Sequence, residues 1–106
     1  MAEIIWTESA LGDLNEVAEH IAMSNLPAAE GLVQTVFDKV SRLESHSESG
    51  RIPPELKGLN YREVIVPPCR IFYRTEAGQI FILHVMRQEQ DLRKFLLNNE
   101  PGTNDG

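Results

Sequence analysis

One cysteine in 106 residues leaves no partner for an intrachain disulfide, and Cys69 sits in an apolar segment where it reads as a small core side chain. Metal-ligating residues are as sparse. The three histidines are scattered, no cysteine pair exists, and neither an H-E-x-x-H run nor an acidic calcium loop occurs, so no metal or other cofactor is expected. A glycine-rich phosphate loop and a G-x-S-x-G elbow are also missing, which removes the familiar nucleotide-binding and hydrolase signatures. Long apolar runs are absent too. No stretch reaches the roughly 18 residues needed to span a bilayer, and the acidic N-terminus lacks the basic and apolar regions of a signal peptide, so the chain is expected to be cytoplasmic and away from membranes.

Positive charge is the other scarcity. Ten lysines and arginines face sixteen acids, a net charge of -6 that argues against affinity drawn chiefly from nucleic-acid phosphates. The distribution is uneven, however. Residues 1–50 carry nine acids and two bases, residues 51–75 two acids and five bases, and residues 76–106 five acids and three bases. The bases thus concentrate in one segment, which suits an acidic or phosphate-bearing partner there.

What is present is a pattern of periods. Residues 3–6 form a short β-branched and aromatic run, expected as an edge strand. Thr7 can cap a helix, Glu8 suits its first turn, and Leu11, Leu14, Val17, Ala18 and Ile21 recur at three- and four-residue steps as far as residues 23–25. Pro27 is expected to open a second helix, with Ala29, Leu32, Val33, Val36, Phe37, Val40 and Leu43 as its core stripe; Gly31 would be tolerated there if it allowed close helix contact. Two helices joined so closely form an antiparallel hairpin. His20 lies off the apolar stripe and reads as solvent-exposed, while His46, just past Leu43, reads as a cation suited to a helix C-terminus. A polar loop over 45–54 follows.

Residues 61–97 contain three short strands in a meander and one short helix. Alternation puts Arg70, Phe72 and Arg74 opposite Cys69, Ile71 and Tyr73 in the second strand, and Arg62, Val64 and Val66 opposite Tyr61, Glu63 and Ile65 in the first. One sheet face is then expected to be core and the other an arginine-bearing groove. The segment 76–79 is a hairpin turn in which Gly78 accepts positive φ, and the strand after it is apolar enough to be central. Strand parity places His84 with Ile80, Ile82 and Met86, opposite Arg87. The order β, α, α, β, β, β, α predicts an α+β two-layer domain over 1–97 with an antiparallel sheet, followed by a disordered tail over 98–106.

The stretches WTESALGDLNEVAEHIA, LKGLNYREVIV, CRIFYRTEAGQIFILHVMR and QDLRKFL, in that order across residues 3–97, resemble the ParE branch of the RelE/ParE toxins of bacterial toxin-antitoxin modules. The resemblance implies the same α+β fold: N-terminal strand, helical hairpin, three-stranded meander and short C-terminal helix. It also divides the function. RelE-like members are ribosome-dependent mRNA nucleases, whereas ParE-like members poison DNA gyrase and do not cut message.

In the RelE pattern the positions of two lysines, two arginines and a tyrosine fall here at Arg62, Val64, Arg70, Arg87 and Arg93. Cations survive in part, but the proton donor at the tyrosine position is lost. HVMRQEQDL also resembles the H-x-x-R-x-x-x-D stretch of ParE. The implied function is therefore a non-enzymatic gyrase inhibitor with no catalytic residues, and Arg62, Arg70, Arg74, His84, Arg87, Arg93, Lys94 and Phe95 are the candidate target contacts. A ParD-like antitoxin is the implied partner, along the helical hairpin and sheet groove at Leu14, Val17, Ile21, Val33, Phe37, Phe72 and Arg74, in a toxin-antitoxin hetero-oligomer that meets DNA only through antitoxin or gyrase. The alternative is a ribosome-dependent nuclease using Arg62, Arg70 and Arg87 as electrophilic groups and His84 as acid or base.

Overall fold

A computed structural model describes residues 2–90, Leu92 and Phe95. Strand β1 (Glu3–Trp6) leads into helix α1 (Glu8–Ala22) and helix α2 (Leu26–Ser41), and the chain returns through β2 (Arg62–Val66), β3 (Cys69–Glu76) and β4 (Gln79–Arg87). Single 3₁₀ turns at Arg42–Glu44 and Pro54–Leu56 punctuate the long connection. Leu92 and Phe95 have helical backbone. The expected tail over 98–106 lies outside the described residues.

Both helices begin where side-chain oxygens meet orphan amides. The Thr7 hydroxyl oxygen accepts the Ala10 amide at 3.2 Å, and its own hydrogen goes to the Ile82 carbonyl at 2.7 Å, so one side chain starts α1 and ties it to the sheet. At α2 the cap is Asn25, whose side chain accepts from the Ala28 amide at 3.0 Å; the helix starts one residue before Pro27, which occupies its first turn. Leu14 from α1 and Leu32, Val36 and Val40 from α2 then meet Val66, Ile71, Tyr73, Ile80, Ile82 and Val85 of the sheet in the main core. Gly31 plays no part in helix contact, since a Cβ there would meet nothing within 4 Å. Phe37, expected in the core, remains 39% exposed and leans on Trp6 with ring centroids 4.8 Å apart.

The sheet order is β1-β4-β3-β2, and the apolar β4 is central as its composition predicts. It is not wholly antiparallel. β1 runs parallel to β4, in register from Glu3 opposite Gln79 to Trp6 opposite Ile82, because the helical hairpin carries the chain back before the meander begins. At the β3–β4 turn both central residues have positive φ, Ala77 at 52° and Gly78 at 79°, as the twist of a two-residue hairpin requires.

Two details of register decide which side chains share a face. Phe72 pairs with His84 but Tyr73 with Ile82, so Leu83 is a surplus residue and β4 bulges. Beyond the bulge the parity inverts: Val85 joins Ile80 and Ile82 in the main core, while Met86 packs with Phe72 on the other face. The expectation that His84 and Met86 share a face with Ile80 and Ile82 is thereby corrected. In β2, Arg62 pairs with Tyr73 and Glu63 with Phe72, so Arg62 lies on the helix side with Tyr73, and Glu63 lies on the open side with Phe72 and Arg70. Arg62 and Arg70 occupy opposite faces.

The long loop is held at one point by Tyr73. Its buried hydroxyl accepts the Gly50 amide at 2.9 Å and donates to the Ser47 carbonyl at 2.9 Å. Gly50 is required there, since a Cβ would stand 2.6 Å from that hydroxyl and 2.7 Å from the Glu63 carbonyl oxygen. Burial pushes the Tyr73 pKa up, so the phenol stays a donor.

Candidate functional site

The open face of the sheet carries Glu63, Arg70, Phe72, Arg74, His84 and Met86, and Leu56, Leu92 and Phe95 pack against its apolar part. Arg70 is at its centre and is 7% exposed. Its Nε donates to Glu63 Oε1 at 2.7 Å, while Nη1 and Nη2 donate to the two oxygens of Glu55 at 2.9 Å each. The guanidinium carbon also lies 5.0 Å from the Phe72 ring centroid. Glu63, with a side chain 0% exposed, accepts a second arginine, Arg51, at 2.5 Å. Four charges thus alternate along Glu55, Arg70, Glu63 and Arg51, so that each buried charge has an opposite neighbour.

The electrostatics follow from that chain of contacts. The bonds Arg70 donates hold the Glu55 carboxyl down at about 2, well below its usual 4.5. In return Glu55, and then Glu63, raise the Arg70 pKa against the opposing effect of burial. Cys69, buried on the helix side, has its thiol pushed up to about 11, chiefly by burial, so it stays protonated and inert as the sequence suggests.

The remaining candidates are dispersed. Arg62 donates to the Gly50 carbonyl at 2.8 Å and secures the loop. Arg74 stands over Phe81 at 5.8 Å and 3.8 Å from Glu76, with its Nε buried and unpartnered among the described residues. Arg87 points to the helix side, 3.2 Å from Glu89, beside a cavity of about 200 Å³ that Asp13, Glu16 and His20 also line. His84 Nδ1 lies 3.4 Å from Asp13 Oδ2, and the same carboxylate oxygen accepts the Val85 amide at 3.0 Å. The His84 ring meets Phe95 edge to face at 5.6 Å. Arg93 and Lys94 lie outside the described residues. Among the described residues, therefore, Arg62, Arg70 and Arg87 do not converge on one site: the first and third lie on the helix face and the second is neutralised on the other.

Of the residues expected to meet an antitoxin, Leu14 and Phe72 are 4% and 1% exposed and offer no surface, so they serve the two cores. Val17, Ile21 and Val33 are half-buried, and Phe37 is open. Val33 borders a shallow groove of about 350 Å³ between the helices, with Ala18, Ala22 and Leu26 as apolar lining and Glu19 and Glu30 at its margins. His20 and His46 are exposed. The sequence reading missed Glu55, Glu63 and Asp13 as partners. Glu63 alone carried a signal, as a carboxylate inside an otherwise apolar strand; the other two are brought in from distant segments.

The family model described as ParE toxin of type II toxin-antitoxin system, parDE, matches residues 4–92. A protein named Toxin RelE2 from Caulobacter vibrioides is 30% identical over 86 residues, spanning 80% of this chain and 93% of that protein. Among solved structures, one of the chromosomal ParDE toxin-antitoxin system from P. aeruginosa superposes with a TM-score of 0.70 at 26% identity, covering 82% of this chain and 96% of that one. The RelBE2 toxin-antitoxin complex from Mycobacterium tuberculosis shares the fold, with a TM-score of 0.51 at 16% identity over 82% and 98% of the two chains. With its α+β architecture and a match running from β1 to Leu92, this chain belongs to the ParE toxin family and is the toxin of a type II toxin-antitoxin module.

Proposed function

We propose that this toxin acts in the cytoplasm by poisoning DNA gyrase rather than by cutting message, and that a ParD-like antitoxin neutralises it along the helical hairpin. The observation that carries the first half is the state of Arg70. A cleaved phosphodiester needs a cation free to meet the charge that develops on phosphorus and a group to move a proton. Arg70 instead has all three nitrogens donating to Glu55 and Glu63. Arg62 and Arg87 lie on the opposite face, so among the described residues these three arginines surround no common point. Arg74, His84, Arg87 and Phe95, together with Arg93 and Lys94, are the residues assigned to the target.

The antitoxin surface is assigned to Val17, Ile21, Val33, Phe37 and Arg74. Apolar lining with Glu19 and Glu30 at the margins of the hairpin groove favours an amphipathic helix with basic flanks. Gyrase supercoiling and cleavage-complex assays on the purified toxin test the proposal. Loss of supercoiling that added antitoxin restores is expected, and discrete cuts in translated message with supercoiling intact would refute it.

One observation favours a ribosome-dependent nuclease as the second reading. His84 Nδ1 is buried 3.4 Å from the Asp13 carboxylate without a hydrogen bond to it among the described residues, near enough for a small movement to pair the two as an acid or base requires. Primer extension on translated message with His84→Gln separates the two, because only a nuclease would lose its cuts.

A further inference from the structure

We propose that Glu55 is a latch over a latent oxyanion site centred on Arg70, and that the site takes a phosphate group once the latch swings out. With Glu55 swung out Arg70 is a cation open to phosphate, so the gyrase reading then rests on Arg62 and Arg87 lying on the other face of the sheet. The latch is read from the form of the contact. Nη1 and Nη2 of Arg70 each reach a different oxygen of one carboxylate at 2.9 Å, a fork-to-fork geometry that two oxygens of a phosphate reproduce. Below the guanidinium the Phe72 ring, 5.0 Å away and 1% exposed, keeps the fork in place whether or not Glu55 is there.

The two carboxylates on Arg70 are not equivalent. Glu63 is sealed, 0% exposed, and shared with Arg51, whereas the Glu55 side chain is 47% exposed on a three-residue turn. Only Glu55 can return to water at small cost. The loop does not need it for anchorage, since Gly50 is bound to the Tyr73 hydroxyl and Arg51 exchanges backbone hydrogen bonds with Glu63 at 3.0 and 2.8 Å. With Glu55 away, the residual cluster of Arg51, Arg70 and Glu63 has one surplus positive charge, and the freed fork faces the opening that Glu55 leaves.

Phosphate is favoured over a carboxylate for two reasons. An incoming carboxylate only repeats the contact Glu55 already makes, and a tethered group competes at an effective concentration on the order of millimolar. A phosphate brings more charge and a further oxygen toward Arg51, whose side chain is 58% exposed. The latch thus excludes monovalent anions and yields to a phosphate with contacts of its own.

The experiment is thermal melting of wild type, Glu55→Ala and Glu55→Gln at constant ionic strength in chloride, acetate, inorganic phosphate and a short oligothymidylate. Both variants are expected to gain a saturable rise in Tm on the order of 5 °C at ten times the phosphate dissociation constant, with acetate and chloride inert. Wild type should bind at least about tenfold more weakly. A larger rise with the oligonucleotide identifies a polynucleotide backbone as the source, and a rise with inorganic phosphate alone a small phosphorylated ligand. Equal phosphate response in wild type and variants, no response in folded variants, or failure of both variants to fold would each overturn the latch.

Discussion

Replacing Arg70 with methionine tests the ionic network directly. The change keeps much of the side chain's volume over Phe72 but leaves Glu63, with no exposed side-chain surface, holding a charge with one partner. That partner, Arg51, is 58% exposed and only partly compensates. Removing one member of a buried pair costs about 3 to 5 kcal/mol because the other is left charged in a poor solvent. For a chain of this size, at roughly 4 °C per kcal/mol, the melting temperature should fall by about 12 to 20 °C.

The same reasoning predicts two contrasts. Glu55→Ala, which strands no buried carboxylate, should cost only about 1 kcal/mol because its contact is open to water. The double variant Arg70→Met with Glu63→Met should recover most of the loss, since a well-packed apolar pair replaces a buried ionic one at little net cost. Circular-dichroism melts and urea titrations of the four proteins supply the numbers. A single variant within about 1 kcal/mol of wild type, or a double variant no more stable than Arg70→Met, would refute the claim that Arg70 and Glu63 sustain the fold as a pair.

Two further outcomes follow from the same structure. Phe37→Ala should lower stability by about 1 to 2 kcal/mol, short of the 3 to 5 of a fully buried phenylalanine, because 39% of the residue is exposed and Trp6 is its ring partner; urea unfolding measures this, and a larger loss would place Phe37 in the core after all. Acid should remove a contribution of about 1 kcal/mol from Glu55. Its folded pKa of about 2 lies below the usual 4.5, so the stabilisation is complete above 4.5 and disappears as pH falls toward 2; melts across that window should drop in wild type and lack this component in Glu55→Gln.

Much of the fold could be read locally. Thr7 as a cap, Pro27 in a first turn, the stripe of Leu32, Val36 and Val40, the turn ending in Gly78 and the central place of β4 all depend on residues within a few positions of each other. What escaped was long-range. The parallel pairing of β1 with β4 joins residues 76 apart, and nothing near residues 3–6 announces its direction. Alternation separated Arg62 from Glu63 within β2 correctly, but only the pairing of Arg62 with Tyr73 decides which side is the core. The site was legible to the same extent. Its arginines were visible as cations in strands, while the carboxylates that neutralise Arg70 come from a loop and a neighbouring strand.

Leu83 has a consequence for how this strand can be compared with its relatives. A single unpaired position makes Gln79–Arg87 behave as two shorter strands set half a pleat out of step, the first delivering its even-numbered side chains to the helices and the second its odd-numbered ones. Any correspondence drawn across the strand by counting residues is therefore valid only on one side of Leu83. Relatives that lack the extra residue keep one parity throughout, so counting without a gap at Leu83 would match His84 and Met86 to residues that face the helices, and a shared histidine in an alignment need not be a shared histidine in space.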